Sequence, residues 1–338
     1  MQYNPALDGV RALAILAVVA FHCRVPGCDG GFIGVDVFFV LSGYLITSLL
    51  CAEQRRGGIK VGAFYARRAL RLYPTLLALL ATYTALSPVL WPTDNRWLVA
   101  SVTASYAMDY VLGFWTLHSP IGHTWSLGVE EKFYLLWPLL LPVFLRTRRP
   151  LVWLTLAFVA ATAWRYIVAL TWGWKQAYFP FDTHMTGILL GAIAAFARLH
   201  VSRRAALVSG AVLAAAIAVI PATAKDVSIG GVTLGITAAE ASALLLVSYA
   251  AEHARSPFLA ARPMAYIGRL SYGIYLWHFP VVILLRDVHA QPWWITLGPT
   301  LLFSFAMAAI CQHVLDAPIR RWREKAWPSP QGTAARLC

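Results

Sequence analysis

Leu7-Asp8-Gly9-Val10-Arg11-Ala12-Leu13-Ala14-Ile15-Leu16-Ala17-Val18-Val19-Ala20-Phe21-His22 reads as one apolar helix with a basic residue near each end. At about 100° per residue, the steps from Arg11 to His22 make roughly three full turns with 20° left over, so both side chains leave one face. At 1.5 Å per residue they stand roughly 16 Å apart along the axis, about half of a bilayer's hydrocarbon core. Ionisable groups at such depth are costly and are kept where a partner or a purpose holds them. The bland reading is an arginine that snorkels to the interface and a histidine satisfied by a neighbour. The rest of the chain has to decide between the two.

Composition sets the frame. Of 338 residues, 59% are hydrophobic and 13% charged, against about 25% charged in a soluble domain. The chain is therefore an all-α, polytopic transmembrane bundle. A net charge of +13 invites a nucleic-acid partner, but the basic residues fill the short gaps between apolar runs, as the positive-inside rule places them. No nucleic-acid partner follows. The five cysteines, Cys23, Cys28, Cys51, Cys311 and Cys338, form no CxxC pair and no Cys/His spacing for a metal. Cys23 and Cys28 fall together at the outer end of the first helix, where an oxidising compartment would allow a bond without requiring one. The first segment lacks a charged n-region before Arg11 and a small-x-small cleavage site, so it reads as retained.

Ten spans can be laid out in order: 7–22, 32–50, 75–90, 125–145, 151–172, 183–197, 206–220, 232–251, 271–285 and 295–315. Every basic cluster then falls on one side, with both termini cytoplasmic. The polar gap from 53 to 73 holds Arg55, Arg56, Lys60, Arg67, Arg68 and Arg71 against one acidic residue, and Pro74 reads as a first-turn proline opening the third span. Residues 95–123 are long enough to cross but carry Asn95, Ser101, Thr103, Ser105 and Asp109, a poor lipid-facing set. They read as a re-entrant or surface-lying segment. No internal repeat is visible. Residues 1–325 form the transmembrane domain, and 326–338 a disordered cytoplasmic tail.

The segment richest in chemical groups is His123-Thr-Trp-Ser-Leu-Gly-Val-Glu130-Glu131-Lys132-Phe-Tyr134. Adjacent carboxylates on a helix point about 100° apart, so only one turns into the bundle. Glu130 shares its face with Tyr134 and Trp137, which sends Glu131 towards lipid or solvent. A carboxylate at the outer end of one helix and His22 near the outer end of another suit a base and its orienting partner. Asp36, at the start of the second span, is a further candidate partner, or an ordinary carboxylate on a helix N-terminus.

Five stretches in this order resemble the membrane-bound acyltransferase 3 family over nearly the whole chain. They are Leu7-Asp-Gly-Val-Arg-Ala-Leu-Ala14 with the Arg11-to-His22 spacing, Gly31-Phe-Ile-Gly-Val-Asp-Val-Phe-Phe-Val-Leu-Ser-Gly43, and Arg67-Arg-Ala-Leu-Arg-Leu-Tyr-Pro74. The others are Thr124-Trp-Ser-Leu-Gly-Val-Glu-Glu-Lys-Phe-Tyr134 and Ser271-Tyr-Gly-Ile-Tyr-Leu-Trp-His-Phe-Pro280. The resemblance implies a bacterial O-acyltransferase of the cytoplasmic (inner) membrane, acting on polysaccharide, lipopolysaccharide, peptidoglycan or a secondary metabolite. Carried over by motif, it implies Arg11, His22, Asp36, Arg68, Arg71 and Glu130 as functional. Lys132 stands where the family usually has Gln. Many relatives append an SGNH-type domain, absent here, which would leave acyl delivery to the membrane domain.

The residue chemistry agrees with that expectation. Acyl-CoA, most simply acetyl-CoA, is cytosolic and phosphate-rich, and Arg67, Arg68 and Arg71 offer forked donors for phosphate. The resemblance implies a carbohydrate or glycosylated hydroxyl as the acceptor, and no metal is called for. His22 then serves either as general base or as a covalent acyl relay, oriented by Glu130 or Asp36, with Arg11 steadying the donor or the developing negative charge. Ser42, Trp125, Ser126, Tyr134, His184, Tyr275 and His278 make a second tier of acceptor-site or secondary candidates, although His278 and His184 equally suit satisfied packing histidines. A transporter or flippase with charges along a pathway is the alternative from another class. The oligomeric state is not legible.

Overall fold

The structure, a computed structural model, describes residues 3–220, 222–223 and 226–326. The expected disordered tail lies outside the described residues from 327 onward. In chain order the helices are α1 (Pro5–His22), α2 (Gly34–Arg55), α3 (Val61–Leu90), α4 (Arg96–Ala104), α5 (Met108–Phe114), α6 (Trp125–Arg146), α7 (Pro150–Thr171), α8 (Trp174–Tyr178), α9 (Phe181–His184), α10 (Thr186–Ala197), α11 (Arg203–Val219), α12 (Ile236–Glu252), α13 (Arg262–Val282), α14 (Trp293–Ile310) and α15 (Ala317–Ala326). A two-residue antiparallel pairing of Ala222–Thr223 with Asp226–Val227 accompanies them.

Seven helical stretches among the described residues are long and apolar enough to cross a membrane: Pro5–His22, Gly31–Arg55, Val61–Leu90, Pro150–Thr171, Gly231–Glu252, Arg262–Val288 and Trp293–Trp322. The other three expected spans are helical but fall short for identifiable reasons. α6 carries the three charges Glu130, Glu131 and Lys132 within its first eight residues, α10 has only 12 residues, and α11 has 17. Residues 95–123 do not form one helix. Tyr106 sits at φ 54°, a left-handed conformation that a helix cannot contain, and it separates α4 from α5. Neither piece, at 9 and 7 residues, is long enough to span.

The third span differs from expectation. α3 begins at Val61, so Pro74 lies inside it rather than in its first turn. The arginine-rich stretch is thus continuous with the helix that follows. A proline at this position costs the helix one hydrogen bond, that to the Leu70 carbonyl, and does not end it.

The start of α1 is tied down at both levels. The Asn4 side chain accepts from the Ala6 amide at 3.0 Å and donates to the Ala250 carbonyl at 2.9 Å, joining this cap to the end of α12. α1 packs along α13, and α2 along α10. Both contacts are close because glycine supplies them: a Cβ on Gly268 would fall 1.8 Å from the Asp8 carbonyl oxygen, and one on Gly43 would fall 1.9 Å from that of Ile188. α1 and α13 run parallel, since Asp8 meets Gly268 at one end and the His22 carbonyl accepts from Arg286 at the other. His22 and the second half of α13 are thereby held side by side.

Candidate active site

At the basic end of the bundle, a cleft of about 310 Å³ opens between α1, α3, α13 and α15. Arg11, Arg71, Arg269 and Arg320 line it, with Asp8 and Asp316 as the opposing carboxylates. Arg11 is held by Asp8 at 2.6 Å, one turn earlier on the same helix. Four guanidiniums against two carboxylates give the cleft lining an excess of positive charge, a field that favours anions. The arginines expected to work together separate here: Arg71 lines the cleft, Arg67 pairs with Glu53, and Arg68 lies deeper, its guanidinium 3.6 Å from the centre of the Tyr134 ring. On one helix, 67, 68 and 71 cannot all face the same cavity, because 67 and 68 diverge by about 100°. Sequence reading missed Arg269 and Arg320, which come from distant segments and only the fold brings to Arg11.

Beyond the cleft lies a layer of carboxylates. Glu130 accepts from Ser42 Oγ at 2.6 Å and from Tyr134 Oη at 3.1 Å. Arg68 and Arg11 both act on it electrostatically. Glu131 does not face lipid or solvent as expected. It is half-buried, within the field of Arg68, and its Oε1 is buried without a hydrogen-bond partner. Among the described residues, Arg68 Nε and Tyr106 Oη likewise make no hydrogen bond of good geometry. Lys132 turns away from Glu130 to Asp109 at 2.8 Å and to the Tyr106 carbonyl at 2.7 Å, so its charge serves the α5–α6 junction.

One face of α13 links this layer to His22. Tyr272 lines the basic cleft, Tyr275 shares a hydrogen bond of 2.7 Å with Ser126 and donates to the His123 carbonyl, and His278 meets His22. The i, i+3 spacing puts the three side chains on one stripe. His22 Nδ1 and His278 Nε2 are 2.9 Å apart. The partner of His22 is therefore His278, not Glu130 or Asp36. Glu130 is occupied by Ser42 and Tyr134, and Asp36 is paired elsewhere.

The tautomers follow from the acceptors. His278 Nδ1 faces the carbonyls of Tyr275 at 2.7 Å and Ile274 at 3.2 Å, so it carries the proton and donates. In the neutral ring His278 Nε2 is then a lone pair, and His22 Nδ1 must donate to it. His22 Nε2 is left as the basic nitrogen, with no hydrogen-bond partner among the described residues. Arg286 fixes the other end of this unit by donating to the His22 carbonyl, the last residue of α1. Beside the pair stands His123, 3% exposed, its ring centre 5.3 Å from that of His278.

Asp36 and His184 form a separate site. Both are 0% exposed, and His184 Nε2 lies 2.7 Å from Asp36 Oδ1 while Nδ1 donates to the Tyr178 carbonyl. Trp125 stacks on the His184 ring with centres 5.3 Å apart. This pair is sealed between α2 and α9 and does not reach His22. Close by, Arg165 and Glu240, also 0% exposed, form an ion pair completed by Thr186 and Thr237. Neither charge was singled out from the sequence, although each was the lone charge in its apolar run and so carried the signal.

Among the described residues, no group of three or more His, Cys, Asp or Glu side chains could hold a metal ion. Cys23 and Cys28 are free thiols.

Comparison with known proteins follows the same lines. The chain is 31% identical to the O-acetyltransferase OatA of Staphylococcus aureus over 99% of its own length and 60% of that protein. It is 29% identical to the peptidoglycan O-acetyltransferase OatA of Listeria monocytogenes, covering 95% of this chain and 56% of that one. The chain thus spans a little over half the length of these relatives. No solved structure matches it. Residues 4–312 match the acyltransferase domain family, and the chain belongs to it.

Proposed function

We propose that the chain is the membrane-embedded transfer unit of an O-acetyltransferase. In this reading acetyl-CoA enters from the cytoplasmic side of a bacterial inner membrane, where the basic loops and both termini lie. The acceptor is a hydroxyl of a carbohydrate or glycosylated molecule, and the relatives' names favour peptidoglycan. The observation that carries the reading is the single unengaged lone pair on His22 Nε2, set by the His278 relay.

The donor's phosphates suit the cleft of Arg11, Arg71, Arg269 and Arg320, with Asp8 and Asp316 tempering the field. The acyl-pantetheine arm then runs along the polar stripe of α13, past Tyr272 and Tyr275, to His22. There Nε2 takes the acceptor's hydroxyl proton as the oxygen attacks the thioester carbonyl. The C–S bond breaks, and the thiolate leaves and is protonated by the imidazolium. Arg11 is roughly 16 Å from His22 along α1, so its part is to hold the donor and not to touch the reacting carbonyl. Glu130 and Arg68 line the approach, and Asp36 supports it indirectly, by bracing α2 against α9 through His184.

The same nitrogen would serve an acyl-histidine relay. Rapid quench of purified protein with radiolabelled acetyl-CoA and no acceptor separates the two, since only a relay labels the protein. The reading as a whole is tested by acetyl transfer to a peptidoglycan fragment by protein in lipid nanodiscs. Equal rates for wild type and His22→Ala would overturn it.

A further inference from the structure

His123 is the group the foregoing mechanism leaves unused. Its ring is buried at 3% exposure, and among the described residues neither Nδ1 nor Nε2 makes a hydrogen bond of good geometry, although the Tyr275 and Leu276 backbone lies nearby. A neutral imidazole has one N–H and one lone pair, and leaving either unmet in a buried place carries the full desolvation cost of that group. Buried polar groups of this kind are few in native proteins and call for an explanation. Packing alone does not supply one, because an apolar side chain would fill the same space without the cost.

The ring's position narrows the explanation. Its carbonyl is anchored by Tyr275 Oη. The ring itself packs against Tyr275 at 5.0 Å, Phe279 at 4.9 Å and His278 at 5.3 Å between centres. Phe279 also packs edge-on against His22, with centres 4.8 Å apart, so the two imidazoles flank one phenyl ring. His123 therefore packs on the same Phe279 ring as His22 and beside His278, in the 3₁₀ turn Gly122–Thr124 that leads into α6, the helix carrying Glu130 and Tyr134.

Acyl transfer needs a donor there. As the acceptor oxygen adds to the thioester, negative charge collects on the carbonyl oxygen, and an N–H aimed at that oxygen lowers the barrier. Arg11 is too far along α1 to provide it, and His22 and His278 have their N–H groups committed to Nε2 of His278 and to the backbone. We infer that His123 is the oxyanion donor of this site: its ring N–H hydrogen-bonds the thioester carbonyl oxygen as His22 Nε2 removes the acceptor proton. No proton leaves His123 in the step. The C–O bond forms, the C–S bond breaks, and His123 exchanges a weak bond to a neutral carbonyl for a strong one to an alkoxide-like oxygen.

The inference rests on the proposed acetyl-CoA reaction, and its test is chosen so that the two fail separately. Acetyl-CoA labelled with ¹³C at the carbonyl is bound to the full-length His22→Ala protein in nanodiscs, where turnover is blocked and the donor persists. A hydrogen bond to the carbonyl lowers its infrared stretch. We expect a lowered stretch in His22→Ala and its return towards the value in water-free solvent in His22→Ala/His123→Leu, with donor affinity within about threefold. The same stretch in both proteins overturns the role of His123 and leaves that of His22 standing. Undiminished transfer by His22→Ala, conversely, removes the base and not the oxyanion donor.

Kinetics give a second readout. His123→Leu should lower kcat by about 100-fold, as loss of one such donor does elsewhere, with KM for donor and acceptor little changed. His123→Gln, which keeps an N–H near the same place, should recover about tenfold of that loss. A Leu variant that folds and retains wild-type kcat, or a Gln variant no better than Leu, counts against the assignment.

Discussion

Two buried histidine sites occupy this bundle, and they differ in whether their nitrogens are spoken for. At His184 both ring nitrogens meet an acceptor, Asp36 on one side and the Tyr178 carbonyl on the other, and neither residue of the pair is exposed. Among the described residues, Nε2 of the half-buried His22 ring has no hydrogen-bond partner, and neither nitrogen of neighbouring His123 makes a hydrogen bond of good geometry. Burial of a histidine in a membrane bundle is thus no signal by itself. A satisfied histidine holds helices together. An unsatisfied one lowers stability, and such sites are where a ligand completes the hydrogen bonding.

The comparison is broken most directly by exchanging the outcomes. His22→Ala should lower acetyl transfer by roughly 10²–10⁴-fold, the usual contribution of a positioned base, with little change in unfolding temperature. His184→Ala should do the reverse, stranding the buried Asp36 carboxylate and lowering the yield of folded protein. Rates and melting curves taken on the same preparations decide it. A His184→Ala protein that is fully stable yet inactive would move the chemistry to the sealed site.

The sealed site can be tested as a pair. Asp36→Leu leaves His184 Nε2 without its acceptor and should cost about 1–3 kcal/mol, the range for stranding a buried polar group. Asp36→Leu/His184→Leu, which removes both polar groups, should be more stable than the single variant. Arg165 and Glu240 should behave likewise, because their ion pair is equally enclosed. Denaturation midpoints of the four proteins in each cycle give the coupling, and additive losses would mean that the pair is not coupled.

A smaller effect sharpens the other side. His278 does not touch substrate in this mechanism; it sets which nitrogen of His22 is basic. His278→Leu removes that acceptor and should slow transfer roughly 10–100-fold, in the range for groups that orient a working side chain. His278→Gln offers a carbonyl oxygen to His22 Nδ1–H and should restore part of the rate. A Leu variant as fast as wild type would show that the tautomer needs no such help.

Much of this architecture was legible in the sequence, and the exceptions have physical causes. Apolar runs and the one-sided basic clusters gave the helices in order, since both are local properties of the chain. The break at Tyr106 was anticipated only as a polar, non-spanning segment, because a left-handed residue leaves no compositional trace unless it is glycine. Arg11, His22 and Glu130 were identifiable as rare charges in apolar surroundings. Their partners were not. Whether Glu130 meets His22 or Ser42 depends on the rotation of α6 against α2, and side-chain type does not encode that angle. The same limit hid His278 as the partner of His22, although its i, i+3 stripe with Tyr272 and Tyr275 was visible. Arg165 and Glu240 were legible as lone charges in apolar runs, but they lie in no motif that drew attention to them.

The least obvious consequence concerns the donor arginines, where the fold reassigns what adjacency in sequence implied. Arg67, Arg68 and Arg71 lie within five residues, yet only Arg71 lines the cleft, where it joins Arg11, Arg269 and Arg320. Arg67 is engaged by Glu53, and Arg68 covers Tyr134 beside Glu130. A charge-assisted hydrogen bond to phosphate contributes about 1.5–3 kcal/mol, and part of it is lost to solvent in an open cleft. Arg269→Ala and Arg320→Ala should therefore raise KM for acetyl-CoA by about tenfold, chiefly through weaker donor binding, and added salt should narrow the gap from wild type. Arg67→Ala should change it by less than about threefold, since its guanidinium is already paired. If Arg67→Ala instead matches Arg269→Ala, the phosphates follow the sequence cluster and bind outside the cleft. Competition by free CoA, which has the phosphates but no acyl group, would then be lost in Arg67→Ala and kept in Arg269→Ala.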